Sequence, residues 1–161
     1  MKNFYVKKIL LIFFIHINSI CALEIACNFE EVYQNGDSQS GVILIKNDNL
    51  RYQYDKKNLY TIIYKNSNIL AVDNTYFNIS KIEDSSEKIS TLNQIFNDYP
   101  DFKEEYNKED LMIKIEKSNL KFIRRIAIQS PEANLSINLY NCEFTSISDK
   151  FFDHFNFIKY E

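Results

Sequence analysis

The sequence predicts a mainly β (α+β) fold: a curved antiparallel half-barrel of roughly nine strands, with one amphipathic helix covering its concave apolar face. Two observations carry that expectation. Apolar and polar residues alternate in short runs along most of the chain, and turn residues separate the runs at hairpin spacing. The period then changes once. Ile89, Leu92, Ile95, Phe96 and Tyr99 recur at three- and four-residue intervals, the stripe of an amphipathic helix. A long antiparallel sheet with one apolar face needs that face covered, and a single mid-chain helix is the simplest cover.

The elements follow in order. Leu23 to Tyr33 alternates as a first strand, with Leu23, Ile25, Cys27 and Phe29 on one face. Strands are expected at about 41–46, 49–55, 58–65, 68–73 and 76–82. In the second of these, Leu50, Tyr52 and Tyr54 share one face while Arg51 and Gln53 take the other. The chain has only two Gly and two Pro, so its turns need another residue that tolerates φ > 0. Asn is the next most tolerant, and Asn35-Gly36, Asn47-Asp48-Asn49 and Asn66-Ser67-Asn68 stand where turns are needed. Ser86 or Ser90 caps the helix and Pro100 stops it. The charged stretch Asp101–Lys108 reads as a solvated connection. Alternation then resumes through Leu111, Ile113 and Ile115, through Phe122, Arg124, Ile126 and Ile128, and through Leu135, Ile137 and Leu139. A tail runs from Ile147 through Phe152 to Phe155, Phe157 and Tyr160. There is no repeat and no linker, so residues 23–161 form one domain.

Residues 1–22 read as a signal peptide. Lys2, Lys7 and Lys8 precede the apolar run Ile9–Ile15, and Asn18, Ser19, Cys21 and Ala22 form a small, polar exit. The run is shorter than the roughly 20 residues a membrane helix needs; an uncleaved amphipathic anchor is the alternative. Cleavage after Ala22 removes three lysines and no acidic group, taking the net charge from −3 to −6. That balance argues against a nucleic-acid partner, whose phosphates need a basic face. In an oxidising compartment the two remaining cysteines, Cys27 and Cys142, suggest a disulfide tying the first strand to a late one. Two buried free thiols are the alternative.

Catalytic chemistry finds little support. His154 is the one histidine left after residue 22, and no serine sits in a nucleophile-elbow sequence. Cys27, Cys142 and His154 lack metal-site spacing. Glu30 and Glu31 are adjacent on a strand and point to opposite faces, so they do not share a proton. Glu104 and Glu105 lie in a charged, solvent-facing stretch. Two glycines exclude a Gly-rich phosphate loop. The expectation is no enzyme, no metal and no cofactor. The three arginines, Arg51, Arg124 and Arg125, mark either planar multi-donor contacts or a solvated sheet face.

Two segments resemble a known family. Gly41-Val-Ile-Leu-Ile-Lys46, a turn, and Leu50-Arg51-Tyr52-Gln53-Tyr54 are similar to a pattern of the periplasmic outer-membrane lipoprotein carriers (LolA-like proteins). Thr61-Ile-Ile-Tyr64, Lys65-Asn66 and Ile69-Leu70-Ala71-Val72-Asp73 continue it, and the helix and the tail at Asp149-Lys-Phe-Phe152 keep the family's order. The resemblance covers residues 28–82, and the rest by element order. Three departures stand out. The long leading helix of that family has no room ahead of Leu23; Asn47 stands where members often carry Arg-Pro; and Tyr52 and Leu70 occupy tryptophan positions.

The resemblance implies a monomeric periplasmic carrier that shields the acyl chains of lipoproteins, or another lipid, on the way to the outer membrane. Its partners would be acylated lipoproteins or lipid, an inner-membrane releasing complex and an outer-membrane receptor. On this reading Leu50, Tyr52, Tyr54, Ile62, Leu70, Val72 and Ile79 line the sheet, and Leu92, Ile95 and Phe96 form the lid. The alternative is a secreted β-sheet protein with a closed core, acting through protein–protein contacts in envelope assembly or at the cell surface.

Overall fold

A computed structural model describes residues 23–82, 86–118, 122–131 and 133–153. The expected signal peptide, His154, Phe155, Phe157 and Tyr160 lie outside the described residues. Ten strands are described: β1 (Glu24–Tyr33), β2 (Ser38–Lys46), β3 (Asn49–Tyr54), β4 (Tyr60–Lys65), β5 (Asn68–Asp73), β6 (Ile79–Lys81), β7 (Glu105–Lys108), β8 (Leu111–Lys117), β9 (Ile123–Gln129) and β10 (Asn134–Phe144). One α-helix, α1 (Ser86–Asn97), stands between β6 and β7.

All pairings are antiparallel, in one unclosed, curled sheet ordered β6-β5-β4-β3-β2-β1-β10-β9-β8-β7. Two meanders, β1–β6 and β7–β10, therefore meet where β1 pairs with β10. Their free ends, β6 and β7, are the sheet's two edges, and the chain passes from one edge to the other through α1.

The strand count is ten rather than nine because Glu105–Lys108 is an edge strand and not a solvated connection. A tight turn with Glu109 at φ 49° folds it back on β8, pairing Tyr106 with Ile113. Its polarity suits an edge, where charged side chains discourage pairing with another chain. The strand expected at 76–82 shrinks to Ile79–Lys81, because Phe77 sits at φ 57° in the turn before it. The Asp73 carboxylate fixes that turn, accepting from the backbone N–H groups of Thr75 and Tyr76 at 2.7 Å each. Asn does replace Gly in two other turns, where Asn47 and Asn66 lie at φ 51° and 50° and Ser67 at 61°, while in the Asn35-Gly36 turn the glycine itself takes φ 87°.

The sheet is apolar on both faces. The inner face carries Ile25, Cys27, Phe29, Ile43, Ile45, Leu50 and Tyr52 from one meander and Ile113, Ile115, Ile126, Ile128, Ile137 and Leu139 from the other. Leu92, Ile95 and Phe96 of α1 belong to the same cluster. The outer face carries a second cluster, in which Ala26 and Leu44 pack with Ile147 and Phe152 of the tail. There a 3-10 helix, Asp149–Phe152, sits against β3 and β4. Side chains of the first meander pin this tail. Glu24 accepts the Ile147 N–H, Lys46 donates to the Ile147 carbonyl at 2.6 Å, and Arg51 donates to the Phe151 carbonyl at 2.6 Å.

Cys27 and Cys142 are joined as a disulfide. Their strands are neighbours, and a bulge in β10 opposite Ala26–Asn28, with Asn141 at φ 51°, lets Cys142 meet Cys27.

Candidate functional site

The inner face is built around an aromatic group on β1 and β3. Direct cross-strand pairs share a face, and the register sets Phe29 opposite Gly41, Gly41 opposite Tyr54 and Ile43 opposite Tyr52. Phe29 stacks on Tyr52 with ring centroids 4.0 Å apart and meets Tyr54 edge-on at 5.5 Å. Gly41 makes this possible. A Cβ there would lie 2.6 Å from the Phe29 Cζ and would strike the Gln53 carbonyl oxygen. The Phe29 ring occupies the space a side chain at position 41 would fill.

Between this group, the opposite meander and α1 lies a cavity of about 130 Å³. Leu50, Tyr52, Tyr54, Ile62, Leu92 and Ile128 line it, with Ile89, Leu135 and Ile137. One charged residue completes the lining, Glu31. Only 6 % exposed, Glu31 accepts on Oε2 from the hydroxyls of Tyr54 at 2.6 Å and Tyr52 at 3.4 Å. The Tyr33 phenol stands beside it. Glu30, its neighbour on β1, is exposed on the other face, as strand alternation requires.

Burial and the adjacent Glu31 charge push the Tyr52 and Tyr54 phenols well above the ordinary tyrosine range. The consequence for stability has a definite sign. Below about pH 10 folded and unfolded chains both keep these protons and the fold holds its full stability; above it the unfolded chain releases them first. Stability should therefore fall as pH rises past 10. A tyrosinate absorbance titration should show two phenols ionising only on unfolding, and Tyr54→Phe should shrink that late step. Ionisation of every tyrosine within the folded state would contradict this picture of the cluster.

Of the ten lining residues expected from sequence, five line the cavity: Leu50, Tyr52, Tyr54, Ile62 and Leu92. Ile95 and Phe96 are buried in the same core cluster beside it. Leu70, Val72 and Ile79 are on the opposite face and are corrected here. The two-residue turn Asn66-Ser67 pairs Tyr64 with Ile69 and Ile62 with Ala71, so Ile69 and Ala71 share the face of Tyr52. Leu70 pairs with Lys81 and Val72 with Ile79 on the outer face. A slip of one residue exchanges the two faces of a strand, and turn geometry alone sets it.

Sequence reasoning missed Glu31, Ile89, Ile128, Leu135 and Ile137 as lining residues. The alternation of the strand residues was visible, but not that β10 lies beside β1. The expected Cys27–Cys142 bond held that information, since it makes the strands of Phe29 and Leu139 neighbours.

The arginines divide. Arg51 is fully buried, with Nε and Nη2 donating to Gln53 Oε1 at 3.1 and 2.5 Å, and burial pushes its pKa down to about 10. Arg124 and Arg125 are exposed and both reach Glu116; Arg124 is the extra residue of a bulge, which lets adjacent arginines share one carboxylate. Such surface pairs contribute little to stability.

A larger depression of about 660 Å³ lies where Tyr99 and Pro100, after α1, meet the ends of β1 and β10 at Leu23, Glu24 and Phe144. It is a shallow surface feature with no buried polar side chain in its lining. Among the described residues no His, Cys, Asp and Glu side chains group as a metal site, and no helix is long and apolar enough to cross a membrane.

No protein-family model matches the chain, and no curated protein matches it.

Proposed function

We propose that this protein is a non-catalytic periplasmic carrier of the LolA-like type, whose half-barrel shields acyl chains of lipoproteins or of another lipid in transit to the outer membrane. In this reading α1 is a lid over the concave face. The observation that carries it is the apolar cavity between α1 and a sheet that curls without closing. A helix joined to the two sheet edges by the chain on either side of it is placed to lift as a unit. A second observation agrees. Leu50–Tyr54, which carries part of the family resemblance, touches the tail at Asp149–Phe152, which keeps the family's element order, through Arg51 and Phe151, 100 residues apart in sequence.

The energetics suit reversible binding. Each buried methylene contributes about 0.8 kcal/mol, so one acyl chain offers on the order of 10 kcal/mol gross. The cavity of about 130 Å³ is smaller than the roughly 300–1,000 Å³ of ordinary ligand pockets, so α1 must move to admit a chain. Exposing Leu92, Ile95 and Phe96 during that movement offsets much of the gain.

Titration with a fluorescent acyl probe that carries an uncharged head tests the reading. The wild-type protein should bind it saturably at one site. Leu92→Asp, which sets a carboxylate into the cavity wall, should weaken binding by about a hundredfold or more. A folded Leu92→Asp protein with unchanged affinity would remove the cavity from consideration.

The alternative, action through protein contacts with a closed core, draws on the turn before β6. Tyr76 and Phe77 there are 76 % and 54 % exposed. Absence of any acyl binding by the wild type would favour it.

A further inference from the structure

The cavity has an apolar wall and a single charge, which forms no ion pair with any other described residue. Glu24, Asp149 and Glu116 are among the acidic groups that form ion pairs, and Glu31 is not. Holding a carboxylate out of water without a counter-charge carries a desolvation cost, which the Tyr52 and Tyr54 hydroxyls partly offset. A closed core gains nothing from that cost, since a glutamine or methionine at position 31 would fill similar space.

Hydroxyls surround Glu31, with the Tyr33 phenol beside those of Tyr52 and Tyr54. The Tyr52 and Tyr54 hydroxyls spend their protons on Oε2, leaving only lone pairs to offer. Across the β1–β2 ladder the register sets Gln39 opposite Glu31, and the Gln39 Oε1 is buried with no hydrogen-bond partner. Phe29, Tyr52 and Tyr54 add aromatic faces, which attract cations. An anionic head would meet a carboxylate of its own sign. An ammonium head would meet a counter-charge, acceptors for its N–H groups, and aromatic rings.

We infer that the cavity selects amphiphiles with a positively charged amine head, which Glu31 receives while the tail lies along Leu50, Ile62, Leu92 and Ile137. This deepens the carrier reading and rests on it. Glu31 sits two residues from the end of β1, next to the exposed β1–β2 turn, so the head would lie toward solvent and the tail inward.

Calorimetric titration with monomeric dodecylamine and dodecanoate, at neutral pH and about 0.15 M salt to screen the protein's net charge, tests it. The amine should bind about tenfold or more tightly than the matched acid. Glu31→Gln, nearly the same shape without the charge, should bring the ratio close to one. If that variant does not fold, the wild-type protein still decides: the Glu31 carboxyl ¹³C resonance should move on adding dodecylamine and not on adding dodecanoate. Equal affinities with an unmoved Glu31 resonance would overturn the head-group selection and leave the carrier reading standing. Failure of both amphiphiles to bind would overturn the two together.

Discussion

Removing the Cys27–Cys142 bond, by reduction or by the double Cys→Ala variant, should lower stability by about 4–5 kcal/mol. The bond closes a loop with 115 residues of sequence separation. The chain-entropy model assigns about 4.7 kcal/mol to a loop of roughly 100 residues, near the upper end of measured values. A domain of this size has a net stability of about 5–15 kcal/mol, so the loss takes about a quarter or more of it. The place of the bond strengthens the expectation. The two meanders join in the sheet only where β1 pairs with β10, and both cysteines lie on those strands. Without the bond, amide exchange should rise first at β1 and β10. With an m-value of about 2 kcal/mol/M the urea midpoint should drop by about 2 M. Identical midpoints with and without reductant would mean that the β1–β10 ladder holds the halves together unaided.

The parts of the fold legible in the sequence were those set by local physics. Alternation placed most strands, and the change to a 3.6-residue period placed α1, because each reflects a side chain's direction from its own backbone. The Asn turns were legible for the same reason: φ > 0 is a local demand. What was illegible depended on pairing. Glu105–Lys108 became a strand through β8, not through its own sequence, whose one aromatic residue is Tyr106. Leu70 and Val72 changed face because the Asn66-Ser67 turn decided which residue met Tyr64.

Glu31 shows the same limit at the site. Strand parity separates it from Glu30, and that much could be read. Its burial could not, because the neighbours that enclose it, Tyr52, Tyr54 and Ile137, come from strands that meet it only in the folded sheet. The Leu50–Tyr54 segment, by contrast, carried both faces in its sequence. Its even positions face the cavity and its odd positions face the tail.

Those odd positions lead to the second large effect. Arg51→Met should lower stability by about 2–4 kcal/mol. The guanidinium bridges two acceptors on different segments, the Phe151 carbonyl and Gln53 Oε1, and each buried acceptor left unbonded costs about 1–3 kcal/mol. Relief of the desolvation that pulls Arg51 down to about 10 offsets part of this. Arg51→Lys should fare little better, because a single ammonium on a flexible stem cannot span both acceptors as a planar fork does. The damage should be confined to the outer layer. Amide exchange should rise in residues 147–153, which would keep Glu24 and Lys46 among their anchors, while affinity for an acyl probe stays within about twofold. That separation follows from alternation itself, since Arg51 and Tyr52 are neighbours in sequence with a sheet between their side chains. A fully stable Arg51→Lys protein would show that Glu24 and Lys46 suffice to hold the tail. Lost acyl binding in a folded Arg51→Met protein would show instead that the two faces are coupled through β3.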